Sequence, residues 1–169
     1  MGRVWQSFGV AFAVGIAIAM SGCAEHDPEL MTSSLTDTSL PTSARLVAKA
    51  KLQFEDGNYG SAVEAYAKTI EEDPLNADAW LGLAAAYDQI NRFDEADKAY
   101  NRVQELVGAT PTVLNNLGYS YLLRGNLDRS RKTLEAAYRA DPGNPYVRNN
   151  IDALNQRLAS LGQRPLVID

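Results

Sequence analysis

Residues 43–76, 77–110 and 111–144 repeat one another with a fixed period of 34 positions. Small residues fall in register: Ala50, Ala84 and Gly118, then Ala62, Ala96 and Ser130. So do large apolar ones: Leu46, Trp80 and Leu114, then Tyr66, Tyr100 and Leu134. Gly57, Asn91 and Gly125 align, each followed two places later by Tyr59, Phe93 or Leu127. Units this short cannot bury a core alone. They must stack, and each buries its apolar face against its neighbours.

Each unit reads as two antiparallel helices. In the second, they are expected over residues 77–90 and 94–106, with Asn91 between them in a left-handed conformation, which Gly57 and Gly125 supply elsewhere. Thr110-Pro111 and Asn144-Pro145 are helix starts, a capping side chain followed by proline at the first helical position. Pro74 and Pro142 close the first and third units, and Gly108 closes the second. The small residues mark where paired helices come closest. A 34-residue period with this pattern resembles the tetratricopeptide repeat. The resemblance implies an all-α, right-handed superhelical array of three repeats (43–76, 77–110, 111–144) and a C-terminal capping helix over 145–161.

The ends of the array are also legible. In the second unit, Ala79, Leu83, Ala86 and Ile90 would face the preceding unit and are apolar. Their equivalents in the first are Arg45, Lys49, Leu52 and Asp56, three of them charged, so no unit is expected before residue 43. Val147, Ile151, Leu154, Leu158 and Leu161 form one apolar helical stripe that can pack on the third unit. Arg148, Asp152 and Asn155 on the far side are polar, as a solvating cap requires. Residues 162–169 are a tail to which no pattern assigns a role.

Composition narrows the function. A net charge of −5 leaves no basic footprint for nucleic acid. One histidine, His26, and one cysteine, Cys23, provide neither a nucleophile–base pair nor a metal ligand set. There is no phosphate-cradling glycine-rich loop, and adjacent Glu71 and Glu72 diverge on a helix. No catalytic residue, metal or cofactor is assigned, and the chain is not expected to be an enzyme.

Residues 1–22 have the layout of an export signal: Arg3, then an apolar run over 8–20, with no acidic residue before Glu25. That run has 13 residues, short of the roughly 20 a spanning helix needs. A retained membrane helix reaching back to Val4 is the alternative, interrupted by Gln6 and Ser7. Met20-Ser21-Gly22-Cys23 resembles the lipobox of bacterial lipoproteins, although the family usually has leucine where Met20 stands. The resemblance implies lipid attachment at Cys23 and cleavage before it; ordinary cleavage after Ala24 is the competing reading. Ala24, where an aspartate tends to retain such proteins at the inner membrane, implies the inner leaflet of the outer membrane, facing the periplasm. Residues 23–42 then form a lipidated flexible tether, spanning about 25 Å root-mean-square.

Within a repeat array, the resemblance implies that the first helix of each pair lines a concave face. The inward positions are Val47, Lys51 and Phe54; Leu81, Ala85 and Asp88; Asn115, Tyr119 and Leu122; and Asn149, Ala153 and Gln156. The partner-binding groove is assigned to Lys51, Phe54, Leu81, Asn115, Tyr119, Leu122 and Asn149. An amide can pair with both N–H and C=O of a peptide, and tyrosine offers an aromatic face with a polar tip. Asn116 and Asn150 are read as structural instead. Lys51 is the one cation at these positions, which disfavours a strongly acidic peptide tail.

Residues 115–123 (Asn-Asn-Leu-Gly-Tyr-Ser-Tyr-Leu-Leu) and 148–151 (Arg-Asn-Asn-Ile) carry a further resemblance, to the repeat lipoproteins of the Flp/Tad pilus assembly system, the TadD type. It implies a role in assembling or localising the secretin through which the pilus passes. The expected function is thus a lipid-anchored periplasmic scaffold for a pilus or secretion apparatus. The alternative is an adaptor that presents envelope proteins to a protease or to cell-wall enzymes.

Overall fold

A computed structural model describes residues 42–168. Seven α-helices run in order: α1 (Thr42–Glu55), α2 (Tyr59–Glu72), α3 (Ala77–Gln89), α4 (Phe93–Val107), α5 (Pro111–Leu123), α6 (Leu127–Ala140) and α7 (Pro145–Ser160). They pair as α1/α2, α3/α4 and α5/α6, with α7 laid on the last pair, and α1, α3, α5 and α7 follow one another along one side. The architecture is the all-α repeat array read from the period. Residues 1–41, with the export signal, Cys23, His26 and nearly all of the tether, lie outside the described residues.

Turn chemistry sets the boundaries. Gly57, Gly125 and Asn91 all have positive φ (77°, 74° and 59°), so each tight turn between paired helices uses the left-handed residue its sequence position supplies. Asn76, Thr110, Asn126 and Asn144 cap α3, α5, α6 and α7 by accepting from backbone N–H groups. Pro111 and Pro145 open their helices.

The joins between units differ. Asp73-Pro74-Leu75-Asn76 and Asp141-Pro142-Gly143-Asn144 form the same turn: each asparagine donates to the aspartate three residues earlier, at 3.2 Å. Six residues beyond each proline, Trp80 Nε1 and the Arg148 guanidinium donate to the proline carbonyl. The middle join runs through Gly108 (φ 74°), and there α5 touches α4 far less than α3 touches α2.

Residues in register differ at the two joins. A Cβ on Gly82 would lie 2.2 Å from the Tyr66 ring, so the missing side chain lets α3 settle onto that ring. One period later Asn116 stands where Gly82 stood and Tyr100 where Tyr66 stood. The Asn116 side chain turns back to the Thr112 carbonyl of its own helix, and Tyr100 donates to the Asn116 carbonyl at 3.4 Å.

Within pairs, the small residues do what the alignment predicts. Ala50, Ala62, Ala84 and Ala96 are fully buried, a Cβ on Gly118 would meet Leu134 at 2.7 Å, and Ser130 Oγ donates to the Gly118 carbonyl at 2.8 Å. The core forms three successive clusters, around Tyr66 and Leu83, around Tyr100 and Ala96, and around Leu134, Ile151 and Leu158.

Candidate functional site: the concave face

The first helix of each pair supplies the groove, but the structure sorts its inward residues into two groups. Val47, Ala85, Asp88 and Asn115 are buried. Lys51, Phe54, Leu81, Tyr119 and Leu122 are partly exposed, and Asn149 and Gln156 are exposed.

Asn115 departs from its expected role. Only 6% of it is exposed, and its Oδ1 accepts from Asn150 Nδ2 at 2.9 Å, which ties α5 to α7. An amide whose oxygen is committed inside the array cannot offer the paired donor and acceptor that a peptide backbone needs. Asn116, read as structural, donates to the Thr112 carbonyl. Asn149, one residue before Asn150, keeps its side chain at the surface.

Tyr119 is half-buried in the groove and hydrogen-bonds Gln89. Its phenol is raised above the ordinary value by burial, helped by Tyr59 and Asp88, while a hydrogen bond with Gln89 pulls the other way. Phe54 packs edge-on against Tyr59, ring centroids 5.1 Å apart. Gln89 and Tyr59 were not among the groove residues read from the sequence. Gln89 is one place from Asp88, and Tyr59 follows the Gly57 turn, so helical spacing alone gave no reason to expect either to influence Tyr119.

Asp88 also leaves the ligand surface. It is 3% exposed and accepts from Tyr100 Oη at 2.9 Å, Ser120 Oγ at 2.8 Å and Arg124 Nη2 at 3.4 Å. Arg124 extends the network, donating Nη2 to Ser120 Oγ at 2.7 Å and Nη1 to both Asp97 oxygens at 2.9 and 3.0 Å. Its guanidinium lies 4.8 Å from the Phe93 ring and 5.5 Å from that of Tyr121, and its buried Nε has no hydrogen-bond partner. Burial pushes the Asp88 carboxyl above its usual value, with the Ser120, Tyr100 and Arg124 contacts opposing it. Tyr100, fully enclosed beside that carboxylate, is raised well above its own. The network bridges α3, α4 and α5 across the join where apolar contact is thin, so its role is to hold the two units together.

The groove therefore has apolar and aromatic walls (Phe54, Leu81, Leu122, Tyr119), exposed amides (Asn149, Gln156) and one cation, Lys51. Among the described residues no cluster of three or more His, Cys, Asp or Glu could hold a metal ion, and no helix is long and apolar enough to cross a membrane. An open cleft of about 380 Å³ lies elsewhere, between α1 and α2, lined by Leu46, Lys49, Gln53, Ser61, Glu64, Ala65 and Lys68.

Known proteins share this layout. Two tetratricopeptide-repeat family models match residues 53–112 and 89–145. Small glutamine-rich tetratricopeptide repeat-containing protein 2 of Mycosarcoma maydis is 24% identical over 125 residues, which is 74% of this chain and 36% of that protein. The chain spans about a third or less of the length of such curated relatives. Among solved structures, the first repeat domain of Spaghetti (RPAP3), bound to the HSP90 peptide SRMEEVD, matches with a TM-score of 0.59 and 24% identity, over 69% of this chain and 93% of that one. The Yersinia enterocolitica type III secretion translocator chaperone SycD matches with a TM-score of 0.60 and 19% identity, over 75% of this chain and 96% of that one. At these identities the solved structures speak for the fold alone. With the 34-residue period, the paired helices and the two family matches together, the chain belongs to the tetratricopeptide-repeat family.

Proposed function

We propose that the protein is a lipid-anchored scaffold at the inner leaflet of the outer membrane, facing the periplasm, that holds a segment of a pilus or secretion component in its concave groove. The observation that carries a binding role is the groove itself, lined by Tyr119, Phe54, Leu81 and Leu122 with exposed amides at its C-terminal end. The anchor rests on Met20-Ser21-Gly22-Cys23, and the pilus context on the resemblance of residues 115–123 and 148–151 to the Flp/Tad repeat lipoproteins.

Charge separates this groove from one suited to an acidic tail such as the HSP90 peptide seen on Spaghetti. Lys51 is the cation at the inward positions, and Arg124 is committed to Asp88 and Asp97. A neutral segment with apolar and aromatic side chains fits better than a carboxylate-rich one.

The test is affinity capture from detergent-solubilised membranes with the full chain and with a Tyr119→Ala/Asn149→Ala double variant. The parent should recover secretin or prepilin subunits. The double variant should lose them by about tenfold or more, in line with loss of an aromatic anchor, while its circular dichroism stays helical. Retained capture by the folded double variant would rule out the groove. Recovery of peptidase or cell-wall enzymes in place of secretin would replace the pilus reading with the adaptor one.

A further inference from the structure

The apolar core is continuous across the first and last joins and divided at the middle one. Tyr66 of α2 shares a cluster with Ala79, Leu83 and Ala86 of α3, and Leu134 and Ala137 of α6 share another with Ile151, Leu154 and Leu158 of α7. The cluster between them, Ala84, Ala96, Ala99 and Tyr100, lies wholly within the second unit. Trp80 and Tyr87 pack against that cluster and against the first one alike, which welds the first two units together. From the third unit, Leu117 reaches only its edge.

Polar groups bridge the middle join instead. Ser120 and Arg124 donate to Asp88, and Arg124 also donates to Asp97. Asp97 lies in the first turns of α4 and Arg124 just past the end of α5, so this clasp closes one end of the antiparallel pair. The covalent link is at the other end, where Gly108 has φ 74° and an added Cβ would meet nothing within 4 Å. The first and last joins are braced by their aspartate–asparagine bonds. Parting a packed join would expose apolar core to water. Parting this one returns two charges to water, which offsets much of the lost attraction, and hydrates the buried Arg124 Nε.

We propose that the join between the second and third units is a hinge, pivoting near Gly108 and clasped at its far end by Asp88, Asp97, Ser120 and Arg124, whose angle sets the spacing between two halves of the concave groove. Lys51, Phe54 and Leu81 stand on one side of it, on α1 and α3; Tyr119, Leu122 and Asn149 stand on the other, on α5 and α7. Hinges of this kind turn on a few residues at the ends of elements, while the bodies they join stay packed. A ligand that reaches both halves binds one hinge angle best and shifts the population towards it. That consequence rests on the proposed groove; the hinge itself does not.

Distances between paired spin labels test this on the full chain carrying Cys23→Ser, with no ligand present, so the hinge can fail without the groove failing. Glu64, Lys98 and Lys132 are exposed, one period apart, on α2, α4 and α6. Labels at Glu64→Cys with Lys98→Cys span the first join, and labels at Lys98→Cys with Lys132→Cys span the middle one. Ser120→Ala and Asp97→Asn, added separately, should each widen the middle-join distance distribution by about twofold, as release of a clasp at an element end would. The first-join distribution should not change, whereas a merely loosened fold would widen both. The Asp97 side chain is 47% exposed, so Asp97→Asn keeps the test open should Ser120→Ala fail to fold. Selective widening in either variant supports the hinge. An unchanged middle-join distribution in every folded variant, or equal widening at both joins, would overturn it.

Discussion

Gly82 carries more of this structure than its size suggests. It lies in mid-helix, where glycine is a poor choice for local propensity, and alanine would gain up to about 1 kcal/mol on that count alone. Yet its Cβ would sit 2.2 Å from the ring of Tyr66, itself only 3% exposed and hemmed in by the first core cluster. Gly82→Ala should therefore lower stability by about 1–3 kcal/mol through overpacking, seen as a fall in the urea midpoint. Gly143→Ala is the control, because its Cβ would meet nothing nearer than Asp141 Oδ1 at 3.7 Å. That substitution should change stability by no more than about 0.5 kcal/mol. An unchanged midpoint for Gly82→Ala would mean that α3 can lift from Tyr66 at little cost.

Between elements, the α4–α5 join depends on polar groups where the α2–α3 join depends on packing. Arg124, 16% exposed, is shared between Asp88, 3% exposed, and the more open Asp97. Arg124→Met should cost about 3 kcal/mol, the low end for removing one partner of a buried pair, because the Asp88 carboxylate stays behind without its cation. Denaturant unfolding measures it.

The pH dependence has a definite sign. Burial raises the native Asp88 pKa above the ordinary 3.8, so the folded chain still holds a proton that the unfolded chain has released. Asp88's contribution to stability is therefore fully present below the unfolded value and falls as pH rises through the raised native one. The parent's stability relative to Asp88→Asn should decline with rising pH across that window and then level off. A relative gain with rising pH would mean that Arg124, Ser120 and Tyr100 together outweigh the burial.

Across the whole molecule, the helices of each unit pack only against those of adjacent units, so stability is close to a sum of helix pairs and the joins between them. The concave side stays open to other chains, while residues 163–168 cover α6 and α7 through Arg131, Asn155 and the buried Leu166. A lipid anchor would place that concave side near a membrane surface on a tether of about 25 Å. Cys23→Ser should release the protein from membranes into the soluble periplasm, as read by fractionation and immunoblot. Undiminished membrane retention would point to an uncleaved N-terminal helix instead.

The period of 34, the turn residues and the capping signals specified the helices, because those are local features fixed by backbone sterics within a few residues. Gly57, Asn91 and Gly125 turn where the alignment put them, and Thr110-Pro111 and Asn144-Pro145 open helices as read. Spacing also found the concave side, but not which of its residues remain open to a ligand. Asn115 and Asn149 are equivalent by position, yet one is tied to Asn150 across α5–α7 and the other is exposed. Asp88 and Arg124 meet from 36 residues apart, and Asn155 grips Leu166 only because the chain reverses at Gly162. Burial and side-chain pairing of this kind depend on where neighbouring helices come to rest, and only the tertiary structure sets that.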